Sequence, residues 1–235
     1  MTAGAATIVP GAIAAATAAR WLDAIEPVYA AARPGPPPAG FDRYSSSPRL
    51  GSLPSIDVDA VLAEVFRGRI AEACRRGLGT SIGCAVDHCW VRRQYPLLHY
   101  PPGHAAHRWH QDGALAFDFL RGDPAAALLP MATCWIALTP CGDDAPGLEF
   151  CGDDGGTLLP ISALADDAIA RLPDRSARSR PVLAAGDAVI FGPGLVHRTH
   201  VHAGMTRERT SIELRFLTAE RLPARMRGTR LVAVH

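Results

Sequence analysis

The chain has 235 residues, 48% of them apolar and 20% charged, enough for one large domain or two small ones with a full core. Arginine and lysine together number 24 against 23 aspartates and glutamates, so no charge excess marks a nucleic-acid or anionic-membrane partner. Six cysteines (Cys74, Cys84, Cys89, Cys134, Cys141 and Cys151) form no CxxC pair and no zinc-ribbon spacing. That pattern points to reduced thiols in a cytoplasmic protein rather than to disulfide staples.

The opening stretch, MTAGAATIVPGAIAAATAARW, carries no positive charge ahead of its apolar run. Arg20 also interrupts it too early for a transmembrane span, so neither secretion nor membrane insertion is expected. Residues 11–32 read as an alanine-rich helix ended by RPGPPPAG, whose prolines cannot continue it. YSSSPRLGSLPS follows as loop. Val58, Val61, Leu62, Val65, Phe66, Ile70 and Cys74 then recur at helical spacing behind a Ser55/Asp57 start signal, with GLG as the stop. The expected organisation is an N-terminal helix and Pro/Ser-rich linker over 1–56 and one catalytic domain over 57–235.

From Thr80 the texture changes to short apolar or alternating runs separated by Gly, Pro and Asp. These are TSIGCAV, HCWVRRQ, LLHY, ALAFDF, ATCWIALTP, GLEFC, GTLLP, RPVLA, DAVIFG, LVHRTHVH and RTSIELRF, with one helical insertion, ISALADDAIARL. Helices first and then about ten closely spaced strands predict a mainly β sandwich or barrel with helices on one outer face.

The chemistry concentrates in HRWHQDG, residues 107–113. On a strand, His110 and Asp112 share a face while Gln111 points away. An imidazole beside a carboxylate is two thirds of the facial site of non-haem Fe(II) oxygenases, which leaves coordination positions open for a cosubstrate and O2. His197, His200 and His202 compete for the third ligand. His197 shares parity with Thr199, whereas His200 and His202 share the opposite face. His104 and His107 read as outer or solvent groups.

In RTSIELRF, alternation puts Arg209, Ser211, Glu213 and Arg215 on one face, and Thr210, Ile212, Leu214 and Phe216 on the other. The apolar side is expected under the N-terminal helices, and the polar side lines either solvent or a cavity. An Arg with a Ser beside it suits a dicarboxylate, the guanidinium gripping the carboxylate with two parallel hydrogen bonds. The competing reading is a solvated face carrying a Glu213–Arg215 ion pair.

Taken in order, YPPGHAAHRWHQDG, CWIALTPCGDDAPGLEF, GDAVIFGPGLVHRT and RERTSIELRF resemble the phytanoyl-CoA dioxygenase family of Fe(II)/2-oxoglutarate oxygenases over roughly residues 58–218. The resemblance implies a double-stranded β-helix, a cupin-like jelly roll, with the N-terminal helices on its major sheet. It implies Fe(II) on His110, Asp112 and His197, and 2-oxoglutarate anchored by Arg209 with Thr199, Trp135 and Ser211 nearby. O2 is the other cosubstrate, and succinate and CO2 are the by-products. Because Asp112 is retained, the resemblance implies oxygenation rather than the halogenation of relatives that lack this carboxylate. The loop after the tryptophan strand departs from the family pattern, reading CGDDGG.

The expected substrate is a small molecule, an amino acid or a secondary-metabolite intermediate. Arg92, Arg93, Gln94, Tyr95 and His99 are candidates to line its pocket, against a competing reading as surface strand residues. Two other classes stay open: a cupin-like metal enzyme with no use for 2-oxoglutarate, and a non-catalytic β-sandwich that binds a ligand.

Overall fold

The structure, a computed structural model, describes residues 6–31, 41–42, 47–100, 105–116, 128–153, 157–171 and 178–235. In chain order the elements are β1 (Thr7–Val9), α1 (Ala15–Ala31), β2 (Phe41–Asp42), β3 (Ser47–Pro48), α2 (Val58–Val65) and α3 (Gly68–Leu78). There follow β4 (Ile82–Ala85), β5 (Trp90–Gln94), β6 (Met131–Ala137), β7 (Gly147–Asp153), α4 (Asp166–Ala170), β8 (Ala188–Phe191), β9 (Leu195–His200), β10 (Arg209–Thr218) and β11 (Leu231–Ala233).

Asp57 caps α2 as its position predicts, its carboxylate accepting from the backbone N–H groups of Asp59 and Ala60. The single helix expected through residue 78 is broken after Val65. Gly68 sits at φ +45°, a conformation that side chains with a Cβ rarely adopt, and the chain restarts there as α3.

Seven antiparallel strands form the main sheet in the order β1-β8-β6-β10-β4-β11, with β5 pairing the first half of β10. β10 is the spine of this sheet. β6 runs along one edge of it, while β5 and then β4 share the other. Its period of two divides the molecule as expected. Ile212, Leu214 and Phe216 face a helix-covered core with Ile25 and Tyr29 of α1, Val61 and Leu62 of α2, and Ile70 of α3. Phe66 meets Phe216 with ring centroids 5.2 Å apart. Burying each such side chain contributes about 1.5–3 kcal/mol, so this layer carries much of the fold's stability.

The opposite face of the main sheet packs on a second, two-stranded sheet of β7 and β9. Trp135, Val189 and Phe191 meet Leu148, Phe150 and Leu195 there. Two facing antiparallel sheets with helices outside one of them make the expected jelly-roll sandwich.

Several strand expectations are corrected. LLHY forms a 3-10 turn at Leu97–His99, and the start of ALAFDF belongs to a 3-10 turn over Asp112–Ala116, the rest lying outside the described residues. The described part of GTLLP is irregular, and RPVLA forms no strand, making an isolated bridge from Leu183 to Cys141 outside the named strands. Conversely, β1 pairs with β8 as an edge strand although nothing in TIV announces one. Both β1 and α1 therefore build the same core as the downstream strands.

Gly113 shows how tightly the turn after the HxD motif is docked. A Cβ there would lie 2.7 Å from Cβ of Pro193 and 2.8 Å from Cδ2 of Leu128, while its N–H donates to the Pro193 carbonyl at 2.9 Å. Gly113→Ala is expected to lose about 1–3 kcal/mol through overpacking, read as a lower urea midpoint at unchanged m-value. An unchanged midpoint would mean that the Pro193 turn yields without cost.

Candidate metal centre

β9 alternates like β10. Leu195, His197 and Thr199 point between the sheets, while Val196, Arg198 and His200 point out. His110 meets β9 through a two-bond bridge: His110 N–H donates to the His197 carbonyl at 2.9 Å, and His197 N–H to that of His110 at 3.0 Å. The chain then turns into the 3-10 segment that begins at Asp112. The convergence of His110 and Asp112 is thus made by a turn, not by the pleat of a regular strand.

Asp112 Oδ1 lies 3.7 Å from His110 Nε2 and 3.8 Å from His197 Nε2. One ligand atom from each of the three residues falls within 4.8 Å of the others, the single such group among the described residues. Both Nδ1 atoms face backbone carbonyls, His110 that of Arg108 at 2.6 Å and His197 that of Leu195 at 2.9 Å. Those contacts require N–H at Nδ1, which leaves the Nε2 lone pairs directed at the shared space.

Burial, and then the neighbouring His197, push the His110 pKa down to about 4; burial also lowers that of His197. Both rings are therefore neutral near pH 7, as ligands must be. Burial opposes ionisation of Asp112, but Arg215, both imidazoles and the Thr133 hydroxyl together hold its carboxyl well below the usual range. Two neutral imidazoles and one carboxylate, with an open side, is a donor set suited to non-haem iron.

The recess in front of this triad is lined also by Arg92, His107, Trp135, Thr199, Arg209 and Glu213. Arg209 is 2% exposed. Its guanidinium lies 4.9 Å over the Trp135 ring, and its Nε and Nη1 have no hydrogen-bond partner among the described residues. Burial draws its pKa down from the ordinary value. A buried cation without an anion is costly, and an anion placed against these two nitrogens would lower that cost.

Thr199 and Trp135 stand on the same recess. Ser211 is buried on the Arg209 face, its hydroxyl unpartnered among the described residues, but it does not reach the recess lining.

The substrate-side expectations fare unevenly. Register sets Arg93 opposite Thr210, on the helix-covered face. There it pairs with Glu26 and lies 4.3 Å over the Tyr29 ring, so it faces away from the recess. Gln94 is opposite Arg209, and its amide donates to the Tyr100 hydroxyl at 3.1 Å. Tyr95 and His99 line a separate outer groove with Thr139, Thr206, Arg207 and Glu208. Arg92, by contrast, reaches the recess, with Nε 2.7 Å from Glu213 Oε1 and Nη1 3.1 Å from His107 Nε2. His200 sits outside, 3.9 Å from Glu149, and His104 lies outside the described residues.

Two partners of Asp112 escaped the sequence reading. Thr133 Oγ1 donates to Oδ2 at 2.6 Å, and Arg215 Nη2 donates to Oδ1 at 3.2 Å and to Glu213 at 3.0 Å. The Glu213–Arg215 pair exists, but buried in the site rather than solvated.

Among solved structures, the chain is similar to the non-heme alpha ketoglutarate dependent epimerase SnoN from nogalamycin biosynthesis. That likeness has TM-score 0.61 and 18% identity over 92% of this chain and 78% of that one. It is similar also to EctD from S. alaskensis with 2-oxoglutarate and 5-hydroxyectoine, with TM-score 0.67 and 15% identity over 93% and 73% of the two chains. A third is the carbocyclase SnoK of nogalamycin biosynthesis, with TM-score 0.62 and 13% identity over 92% and 80%. No curated protein sequence matches the chain. At these identities the likenesses establish the fold, and the sequence itself supplies the kinship. The profile of phytanoyl-CoA dioxygenase (PhyH) matches residues 3–207, running through His110, Asp112 and His197, and the chain belongs to that family.

Proposed function

We propose that this protein is an Fe(II)- and 2-oxoglutarate-dependent dioxygenase that oxidises an unactivated C–H bond of a small molecule, most simply by hydroxylation. Succinate and CO2 are released. The observation that carries this reading is the buried guanidinium of Arg209, whose Nε and Nη1 have no hydrogen-bond partner among the described residues, on the same recess as His110, Asp112 and His197. A metal enzyme that did not use 2-oxoglutarate would have no need of it, and a non-catalytic sandwich would need neither feature.

His110, Asp112 and His197 would hold the iron, which when bound supplies O2 activation coupled to decarboxylation of the cosubstrate. Arg209 pairs with the distal carboxylate, Trp135 forms the wall beneath the guanidinium, and the Thr199 hydroxyl lines the same space. The inter-sheet apolar side chains Leu148 and Phe191 line it too and keep it dry. Structural neighbours with this fold are described as an epimerase and a carbocyclase, and another is described with 5-hydroxyectoine. The fate of the oxidised carbon is therefore set by how the substrate is held. The short chain with few long insertions favours an amino acid or a secondary-metabolite intermediate as substrate. A reducing cytoplasm fits the six free, buried cysteines, and no helix among the described residues is long and apolar enough to cross a membrane.

Anaerobic titration of 2-oxoglutarate into the Fe(II) protein, followed by its charge-transfer band, tests the assignment of Arg209. Losing one partner of a buried charge pair costs on the order of 2–5 kcal/mol. Arg209→Ala should therefore weaken 2-oxoglutarate binding by about 30-fold to several-thousand-fold, with Arg209→Lys in between, at unchanged iron affinity. Parent-like binding in Arg209→Ala would remove the cosubstrate from this reading.

The metal ligands are tested separately. His110→Ala and His197→Ala should abolish stoichiometric Fe(II) uptake while keeping the parent's circular dichroism, and Asp112→Gly should lose substrate hydroxylation. Full iron content and turnover in either histidine variant would overturn the assignment.

A further inference from the structure

Thr133 lies on β6 between Ala132 and Cys134, both fully buried in the helix-covered core. The pleat therefore turns the Thr133 side chain to the opposite face, towards the metal centre. Register sets it beside Arg215 of β10 on one side and Phe191 of β8 on the other. Its hydroxyl is the donor to Asp112 Oδ2 at 2.6 Å, a short, charge-assisted contact. The other oxygen, Oδ1, is the one 3.7 and 3.8 Å from the two Nε2 atoms.

The two carboxylate oxygens are thus differently occupied: Oδ1 faces the imidazoles and Oδ2 is held by the hydroxyl. Arg215 fixes the carboxylate from a second direction, through Nη2 to Oδ1 at 3.2 Å. Arg215 is itself anchored on Glu213, whose other oxygen binds Arg92. For both oxygens to reach one metal ion, the carboxylate would have to leave Thr133 and rotate against Arg215.

The geometry points to Thr133 as a positioning residue that keeps Asp112 a one-oxygen ligand. This rests on the functional reading above. Iron held by His110, Asp112 and His197 would need its remaining positions for the cosubstrate and O2. A second Asp112 oxygen would compete for them. The hydroxyl of Thr133 would therefore keep one of them free.

Thr133→Val removes the hydroxyl at nearly constant shape, and Thr133→Ser restores it. In Thr133→Val, Fe(II) and 2-oxoglutarate should bind as in the parent, because the three ligands and Arg209 are intact. Single-turnover O2 consumption should fall by about 10- to 100-fold, the usual effect of losing an outer partner of a ligand. X-ray absorption on the anaerobic Fe(II)·2-oxoglutarate protein, with substrate, should show one more oxygen neighbour in Thr133→Val than in the parent. Thr133→Ser should match the parent in both rate and coordination number.

The proposal is overturned if Thr133→Val keeps the parent's coordination number and rate. It is overturned equally if Thr133→Ser is as impaired as Thr133→Val, since the methyl packing would then be what matters. Loss of iron from Thr133→Val alone would assign the hydroxyl to affinity and reject the proposal too. A parent that takes up no Fe(II) or 2-oxoglutarate defeats the functional reading first, a result distinct from all of these.

Discussion

Asp112 is a carboxylate 7% exposed, and the whole centre depends on the Arg215 guanidinium that makes its burial tolerable. An isolated carboxylate in such a place would take up a proton or unfold the site. Arg215 prevents this but is itself buried, and so needs Glu213; Glu213 in turn needs Arg92. Asp112, Arg215, Glu213 and Arg92 form a line of alternating charge, each member no more than 8% exposed. Two negative and two positive groups cancel. Removing one would leave a buried charge uncompensated, at roughly 3–5 kcal/mol. The line also sets Arg209 apart. It lies on the same face of β10 but outside the cancelled set, with no hydrogen-bond partner for its Nε and Nη1 among the described residues.

A second set of contacts, on the outside of the small sheet, explains how ligands on irregular backbone are held still. Trp109 and Gln111 flank His110 and point the other way. Trp109 donates to Asp166, which also takes Arg198, and Arg198 lies 4.5 Å over the Trp109 ring. Arg198 and Arg180 both converge on Glu149, a carboxylate with no exposed surface. Gln111 donates to the carbonyls of Thr157 and Gly194 and accepts from Leu159 N–H. Trp109 and Gln111 are therefore pinned outward while His110 and Asp112 point inward. This outward anchoring substitutes for the ladder of a regular strand and pre-organises the inward pair.

What the sequence made legible follows from where a single period decides the outcome. β10 alternates cleanly, so its apolar, helix-facing set and its polar set with Arg209 were readable, while the choice between solvent and a cavity for the polar set was not. Parity along β9 separated His197 from His200 and His202, and the resemblance to the phytanoyl-CoA dioxygenase family then singled out His197. The framework of helices before strands was readable from the change of spacing at Thr80. Edge strands were not. TIV at residues 7–9 becomes β1 only because β8 offers a free edge, a property of β8's surroundings rather than of those three residues. The helix break at Gly68 was hidden because the apolar positions on both sides stay in helical phase.

The remaining misses share a cause. In WVRRQ, apolar and polar residues do not alternate over the part that matters, so nothing local says which of Arg92, Arg93 and Gln94 faces inward. Pairing with β10 decides it. Thr210 lies opposite Arg93 and carries it to the helices, whereas Ser211 and Arg209 lie opposite Arg92 and Gln94 and carry them to the cavity side. Thr133 and Arg215 were invisible as partners of Asp112 for the same reason. They are adjacent only through the β6–β10 register, and they meet Asp112 only because the turn at Gly113 docks on Pro193. Metal ligands carry a chemical signature that survives in one dimension. The groups that orient them are ordinary residue types, made functional by register, and register is fixed only when the whole sheet assembles.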